Sequence, residues 1–504
     1  MSVWAFVLSL AYYPYYLGFL AWFALVRPLW IISKLEKSEC FKASYFFSFC
    51  YVLFTLYWVG LVTPPGMLAA VVIVGFYYTA ILTAYSKLHR IKPIYGIIFL
   101  PFLWTGLEHF RTLSQFAFPW SDIGYTQAHY LYILQNVSVI SLHGLSFLII
   151  VVNLLVLQLF RSNLSAERRI TCGFSALAIV AALIAYGWIE TPPLVKEGTV
   201  KVGILQGSVP IDIKWELENE GFSIKRYDTL TKSIQAEKPS LIVWPESGAP
   251  CFLDADLRCR ESIVTTVKES GVPHLIGALA VGQENGERRD YNSCFQFDPD
   301  GRIVGRYDKT KLVPFSEHVP YEKAFPFLRA DLLVKYLTFI RNYNVQWWSD
   351  FAVGDSLHLF KIPEGRYGVL ICFESAFPDV ARQMILDGAE FIVGITNDTW
   401  FGSTVGIHMH SSIFITRAVE NRCWMARAAN SGLSYVVDPY GRIHEQIPHD
   451  AVQAFTGKVG LLSSYSVFTR IGDVAGKVSF FVMTAVLFIL VAGWIGQRFF
   501  KRSF

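Results

Sequence analysis

Three residues capable of covalent chemistry stand where apolar runs of the sequence stop. Glu246 follows "SLIVWP", Lys309 lies in "GRYDKTKLVPFSE" and Cys372 ends "GVLIC". A thiol attacks a carbonyl carbon as the thiolate, a carboxylate can serve as its base, and an ammonium stabilises the negative charge of a tetrahedral intermediate. The three residue types together predict acyl transfer, although each one alone is also explained as an inert buried thiol or a solvated charge.

The elements that must position these residues are short apolar runs ending in Gly, Pro or Asp, which are typical of buried strands. The runs are "TVKVGILQG", "SLIVWPESG", "HLIGALAVG", "GVLICFES" and "AEFIVGITND", with helix-length segments between them. Two further segments, "CFQFDPDGRIVGR" and "SYVVDPYGRIHEQ", place Asp-Pro-x-Gly between alternating runs. They predict hairpins because Pro presets φ and Gly supplies a positive φ. We therefore expect an α/β domain with its sheets covered by helices.

The remainder of the chain is apolar enough for a membrane. Of its 504 residues, 53% are hydrophobic and 16% aromatic, above the roughly 45–50% apolar share of soluble domains. Several runs meet the requirement of about 20 apolar residues for a spanning helix. We expect a transmembrane helical bundle over residues 1–195, the globular catalytic domain over 196–470, and a last transmembrane helix with a cytoplasmic tail over 471–504.

The distribution of basic residues predicts the orientation of the bundle. Lys and Arg collect in four short connections, which the positive-inside rule places in the cytoplasm: Arg27, Lys34, Lys37 and Lys42; Lys87, Arg90 and Lys92; Arg161, Arg168 and Arg169; Arg498, Lys501 and Arg502. Residues 1–33 form either one long tilted helix or two short helices broken near Pro14. An even total favours two there and about eight in all, which places residues 196–470 outside the cytoplasm.

Composition also excludes some classes of function. The net charge is +4 and no basic block dominates, so we expect no nucleic-acid partner. The sequence has no metal-ligand cluster and no phosphate-binding Gly-rich loop, so we expect no cofactor. Eight cysteines are too few for a disulfide scaffold of this length. Cys251 and Cys259 form either a disulfide in an oxidising compartment or a pair of free thiols.

Five motifs resemble the nitrilase superfamily, and in particular its membrane-bound branch, the apolipoprotein N-acyltransferase family. They are "VWPES", "YDKTKLVPFSEHVPY", "GVLICFES", "TNDTWFG" and "RAVENR", and the helical region carries a matching "FPWSDIGYTQ". The resemblance covers nearly the whole chain. It implies a nitrilase-like α/β sandwich inserted before the final helix of a membrane bundle.

The resemblance also implies roles for individual residues. Cys372 becomes the nucleophile, Glu246 the general base and Lys309 the cation that stabilises the oxyanion. Glu317 and Glu374 become supporting acids near this triad, with Glu374 orienting Lys309 or the incoming amine. An alternative for Glu374 is an ordinary residue at the start of a helix.

Three aromatic residues match pocket positions of the family. Trp215 in "IDIKWE" and Trp400 in "TNDTWFG" match substrate-binding positions, although both also suit an ordinary core. Phe373 stands where the family has a tyrosine, which removes a hydroxyl contact but leaves the main-chain N–H for the oxyanion.

Such an enzyme takes an acyl chain from a phospholipid and passes it to the amino-terminal amine of an S-diacylglyceryl-cysteine lipoprotein. The implied location is the bacterial inner membrane, with the catalytic domain facing the periplasm.

Residues 324–348 have apolar positions at helical spacing and predict either an interfacial helix or a cover for the sheet. Two rival hypotheses are a membrane-tethered amidase or nitrilase that passes the acyl group to water, and a transporter or receptor with an inactive external domain.

Overall fold

The computed structural model describes residues 1–13, 16–162, 164–193, 198–214, 220–284, 286–326 and 350–500. The chain folds as two compact units. The helical unit consists of Met1–Gly60, Met67–Thr191 and Ile471–Phe504, and the α/β unit consists of Leu61–Gly66 and Pro192–Arg470. Trp215 and most of the segment 324–348 lie outside the described residues.

The amino-terminal part of the chain is helical because its apolar runs contain few turn-forming residues. Its helices are α1 (Ser2–Leu10), α2 (Val26–Lys34), α3 (Lys37–Leu56), α4 (Val59–Val62), α5 (Pro64–Ile91), α6 (Pro93–Phe110), α7 (Leu131–Leu134), α8 (Val137–Leu159) and α9 (Ala166–Glu190). The carboxyl-terminal helix of the chain is Val474–Phe500.

Four helices within the described residues are long and apolar enough to cross a membrane: Gly66–Ile91, Val137–Leu159, Ala166–Glu190 and Val474–Gly496. The described residues of the segment 1–34 contain two α-helices of nine residues each, α1 and α2, and the short 3-10 helix Gly18–Trp22, while Pro14 lies outside the described residues. Each is shorter than the roughly 20 residues that a spanning helix needs. The expected total of about eight spanning helices therefore stays a prediction.

A buried polar network ties the carboxyl-terminal helix to the rest of the helical unit. The Asp473 carboxylate lies 2.8 Å from His109 Nδ1 and 2.6 Å from His143 Nδ1, and it accepts a hydrogen bond of 2.6 Å from Ser141. It also accepts one of 2.9 Å from the N–H of Gly476, in the first turn of the helix. Asp473 therefore caps this helix and fastens it to α6 and α8.

The α/β unit contains two six-stranded sheets. The first has the order β12-β1-β2-β3-β4-β5 and the second β11-β10-β9-β8-β7-β6. The strands are β1 (Val200–Gln206), β2 (Leu241–Phe252), β3 (His274–Glu284), β4 (Glu287–Phe297), β5 (Ile303–Asp308), β6 (Leu359–Ile362), β7 (Gly365–Ile371), β8 (Phe391–Thr396), β9 (Met425–Ala429), β10 (Ser434–Val437), β11 (Ile443–Ile447) and β12 (Gln453–Val459). All five predicted strands are confirmed.

The described helices between Pro192 and Ile471 are α10 (Ile211–Lys214), α11 (Glu220–Ile234), α12 (Leu257–Ser270), α13 (Pro378–Leu386), α14 (Val405–Asn421) and α15 (Val467–Ile471). Helix α12 begins where Asp256 accepts hydrogen bonds from two first-turn N–H groups, and it ends at Gly271 with φ of 65°. Buried residues of α11 and α12, including Tyr227 and Ile263, pack with Trp244 of β2 in one apolar core. This core packs against β2, the strand that contains Glu246.

Both predicted hairpins are confirmed, since β4 pairs antiparallel with β5 and β10 with β11. Gly301 and Gly441 take φ of 77° and 87° in the two turns, as the Asp-Pro-x-Gly motif requires.

The open question about Cys251 and Cys259 is also answered, because these two residues form a disulfide.

Candidate active site

Two of the three residues predicted to carry acyl transfer directly follow strands of the α/β unit, and the third lies inside a strand. The expectation that Glu246 stands where a strand stops is wrong, because β2 continues to Phe252, although the register of its pairing with β3 shifts between Trp244 and Ala249. Glu246 belongs to β2, Lys309 directly follows β5, and Cys372 directly follows β7. Cys372 has a φ of 51°, a left-handed backbone conformation that a non-glycine residue adopts only when its surroundings enforce it. The charges of Glu246 and Lys309 both act on the Cys372 thiol. The structure therefore brings the predicted triad into one site that is shared by the two sheets.

A buried ion-pair network forms the centre of this site. The Lys309 ammonium donates hydrogen bonds to Glu317 Oε1 at 2.8 Å and to Glu246 Oε1 at 3.3 Å. Lys309 is only 1% exposed. Burial alone would lower the pKa of Lys309, but the charges of Glu246 and Glu317 outweigh burial and raise it. Lys309 is therefore a permanent cation beside the thiol.

Glu246 is held as an ionised carboxylate. Besides Lys309, it accepts hydrogen bonds from the Asn292 amide at 2.7 Å and from the main-chain N–H of Asn397 at 2.8 Å. Burial favours the protonated acid, but the Lys309 charge and these hydrogen bonds outweigh burial, so the pKa of Glu246 is lowered. The carboxylate is therefore available as a base at neutral pH.

The pKa of the Cys372 thiol is raised, whereas that of Glu246 is lowered. Burial and the nearby Glu246 charge raise its pKa, and the Lys309 charge opposes them only in part. At rest Cys372 is therefore a neutral thiol. If Cys372 attacks a carbonyl carbon, as the sequence predicts, its proton must pass to a base during the attack, and the Glu246 carboxylate is placed to take it.

Glu317 lies where a supporting acid would act. Its Oε1 accepts from Lys309, and also from the Asn292 amide at 3.1 Å. Its Oε2 accepts from the main-chain N–H of Val313 at 2.8 Å. Glu317 and Glu246 therefore share two donors, the Lys309 ammonium and the Asn292 amide.

Glu374 lies beside the triad and bonds the main-chain neighbours of Lys309 and Cys372, while its role toward the incoming amine stays a prediction. Its Oε1 accepts from the Tyr307 hydroxyl at 2.6 Å and from the Thr310 N–H at 2.7 Å. Its Oε2 accepts from the Ile371 N–H at 2.8 Å. The side chain thus fastens the end of β7 to the residue after Lys309, rather than reaching the ammonium itself. The hydrogen bond from the Ile371 N–H also caps the short turn Cys372–Ala376. This contact agrees with the alternative that Glu374 is an ordinary residue at the start of a helix.

The three aromatic residues predicted to bind substrate differ in their surroundings. Phe373 is buried, and its ring packs edge to face against the ring of Phe377, with 5.2 Å between the ring centroids. Trp400 lies in the turn Asp398–Phe401 and is partly exposed. Trp215 lies outside the described residues, so its role as a pocket residue stays a prediction.

Sequence reasoning missed three residues that contact Glu246: Asn292, Asn397 and Lys214. Asn397 belongs to the quoted motif "TNDTWFG", but its main-chain donor gives no sequence signal. The Lys214 ammonium donates to the Glu246 carbonyl oxygen at 3.3 Å. Burial lowers the pKa of Lys214 to about 7, and the Glu246 charge only partly opposes burial. The sequence feature that could have identified Lys214 as a site residue is its position next to Trp215 in "IDIKWE".

One cluster among the described residues has the composition of a metal site. His109, His143 and Asp473 of the helical unit offer ligand atoms within 4.8 Å of one another. The hydrogen bonds described above already satisfy the Asp473 carboxylate, so they account for the cluster as a structural fastening. The expectation that the protein needs no cofactor stays a prediction.

Comparisons with known proteins cover both units. The carbon-nitrogen hydrolase family model matches residues 201–460. The model for the apolipoprotein N-acyltransferase N-terminal domain matches residues 4–155. Apolipoprotein N-acyltransferase of Geobacter metallireducens is 31% identical over 470 residues, covering 90% of this chain and 88% of that protein. The Brucella melitensis protein of the same name is 31% identical over 490 residues, covering 92% and 86%. Among solved structures, an amidase from Nesterenkonia sp. is 16% identical, covers 56% of this chain and 95% of its own, and has a TM-score of 0.37.

Proposed function

The chain belongs to the apolipoprotein N-acyltransferase family, and from this premise we propose the following reaction for it. An acyl chain passes from a membrane phospholipid to Cys372 as a thioester, and then to the amino-terminal amine of an S-diacylglyceryl-cysteine lipoprotein. The observation that carries the proposal is the buried network in which Lys309 bonds both Glu246 and Glu317, while its charge acts on the Cys372 thiol.

In the first half-reaction, Glu246 accepts the thiol proton as Cys372 sulfur attacks the ester carbon of the phospholipid. The negative charge that develops on the carbonyl oxygen is stabilised by the Lys309 ammonium and by the main-chain N–H of Phe373. The intermediate collapses, the C–O bond breaks, and Glu246 returns the proton to the departing lysophospholipid. A thioester and a neutral alcohol result.

In the second half-reaction, the lipoprotein amine attacks the same carbon and the C–S bond breaks. Glu246 takes a proton from the attacking nitrogen and returns it to the Cys372 sulfur. An acceptor that arrives as an ammonium ion must lose one further proton before attack, so the full cycle releases one proton for each amide formed. The rival hydrolase follows the same path with water in place of the amine.

Location and topology are part of the same proposal. Residues 1–195 and 471–504 anchor the catalytic residues 196–470 at the bacterial inner membrane, with about eight spans and the catalytic domain in the periplasm. The four long apolar helices support membrane anchoring. The Cys251–Cys259 disulfide supports an oxidising compartment for the α/β unit. A periplasm-active reporter fused after residue 300 should be active, whereas activity there of a cytoplasm-only reporter would contradict the orientation.

The experiment that tests the function measures where the acyl group goes. Purified protein in detergent receives a phospholipid with a labelled acyl chain, with or without a peptide that carries an amino-terminal diacylglyceryl cysteine. We expect label on the peptide amine, and faster lysophospholipid release when the peptide is present. Release of free fatty acid at one rate with and without peptide would identify a hydrolase. No release at all would identify an inactive domain.

A further inference from the structure

A cluster of buried polar residues behind the nucleophile has no part in the reaction described above. It contains Asp398 after β8, His410 of α14 and Arg427 of β9, and each of these side chains is at most 1% exposed. Arg427 donates to Asp398 Oδ2 at 2.7 Å, and Asp398 Oδ1 lies 2.9 Å from His410 Nδ1. Arg427 Nη2 also lies 3.1 Å from His410 Nδ1, so Arg427 and Asp398 together fix the orientation of the His410 ring.

The far side of that ring faces the main chain of the nucleophile. His410 Nε2 lies 3.2 Å from the carbonyl oxygen of Cys372. A carbonyl oxygen only accepts hydrogen bonds, so this contact is a hydrogen bond when Nε2 carries a proton. The Ser375 hydroxyl donates to the same oxygen at 2.9 Å and lies 3.1 Å from Nε2. Ser375 Oγ and His410 Nε2 therefore both lie within hydrogen-bond distance of one carbonyl oxygen.

Peptide geometry links this carbonyl to catalysis. In a planar trans peptide the C=O and the following N–H point in opposite directions. Donors that fix the Cys372 carbonyl therefore also fix the direction of the Phe373 N–H. The Cys372 φ of 51° is a conformation that non-glycine backbones rarely adopt unless neighbouring groups hold them there.

We propose that His410, oriented by Asp398 and Arg427, is a positioning residue that aims the Phe373 N–H at the oxyanion formed on the acyl carbon. This inference rests on the proposed role of Cys372 as nucleophile. The role of His410 is separate from forming the thiolate, which Glu246 performs from the other sheet.

Two reactions of the Cys372 thiol distinguish the positioning role of His410 from thiolate formation by Glu246. Release of nitrophenolate from p-nitrophenyl butyrate passes through a tetrahedral oxyanion, whereas alkylation of Cys372 by iodoacetamide does not. Removing one oxyanion-hole donor slows acyl transfer by about 10²–10³-fold. We expect His410→Leu to slow nitrophenolate release by about 100-fold, while alkylation, followed by mass spectrometry of the Cys372 peptide, stays within about twofold of the unsubstituted protein.

A conservative variant and a control sharpen the test. His410→Gln keeps an N–H donor at the end of the side chain, so it should recover part of the rate. His408→Leu, on the same helix but outside the cluster, should change neither reaction. An unchanged nitrophenolate rate in His410→Leu would overturn the inference, and so would an equal fall of both reactions. If the unsubstituted protein releases nitrophenolate but takes no label from phospholipid, the proposed function fails while the role of His410 is still decided by the same pair of rates.

Discussion

The contact between Glu317 and Lys309 makes a quantitative prediction. The Lys309 ammonium lies 2.8 Å from Glu317 Oε1 but 3.3 Å from Glu246 Oε1, so the supporting acid holds it more closely than the base does. Glu317→Gln keeps the shape of the side chain and removes its charge. Hydrogen bonds to charged groups contribute about 1.5–3 kcal/mol, and every 1.36 kcal/mol changes a rate about tenfold. We therefore expect acylation to slow by about 10–100-fold.

The slower rate has a specific cause. Without the Glu317 charge, the ammonium shifts toward Glu246, and a closer cation makes that carboxylate a weaker base for the Cys372 thiol. The assay is single-turnover release of labelled lysophospholipid, which reports acylation alone. Glu364→Gln, which changes an exposed carboxylate of the same unit, is the matched control and should leave the rate unchanged.

A double-mutant cycle decides whether Glu317 acts through Lys309. Lys309→Met removes the cation and should slow acylation by about 10²–10³-fold, the range measured for loss of an oxyanion donor. Adding Glu317→Gln to Lys309→Met should then slow it little further, because the group on which Glu317 acts is already absent. Fully additive losses would refute this reasoning, and so would a normal rate in Glu317→Gln.

Three further predictions concern the surroundings of the site. Glu374→Gln places an amide N–H against a buried donor and should lower the free energy of unfolding by about 2–4 kcal/mol, as measured by denaturant unfolding. An unchanged unfolding midpoint together with normal acylation would contradict the proposal that Glu374 connects the end of β7 to Thr310. Asn292→Ala removes a hydrogen bond to ionised Glu246, so the pKa of Glu246 should rise and the acid limb of the acylation pH profile should move about one pH unit higher; an unmoved limb would contradict this. Replacing Cys251 and Cys259 together by Ser should lower the free energy of unfolding by about 2–3 kcal/mol while transfer persists; loss of transfer in the folded variant would contradict a purely structural disulfide.

The α/β unit was largely predictable from its sequence because its signals are local. Buried strands such as β7 and β8 appear as continuous apolar runs, and the hairpin turns require Gly301 and Gly441 at fixed places. Residues that end such strands meet at the edges of the sheets, so Cys372 was identifiable from the sequence, whereas Glu246 ends an apolar run but lies inside β2. Pairing of β12 with β1 was not predicted, since the contact joins distant segments that carry no turn signal.

The surroundings of the triad were predictable only in part. Glu374 has the residue type of a catalytic acid, and only coordinates reveal that its oxygens are occupied by Tyr307, Thr310 and Ile371. The main-chain donor of Asn397 leaves no trace in side-chain chemistry. Residues 1–34 were ambiguous because aromatic and apolar residues fill the segment evenly, while its described part contains two short α-helices and one 3-10 helix.

The central claim is that the acyl group passes through a thioester on Cys372. The most direct measurement is mass spectrometry of the Cys372 peptide after the protein meets a phospholipid in the absence of acceptor. We predict a mass increase equal to the acyl chain on Cys372, its removal by hydroxylamine or by the diacylglyceryl-cysteine peptide, and neither adduct nor transfer in Cys372→Ala. Transfer that continues in Cys372→Ala, or an acyl group found on another residue, would contradict the account.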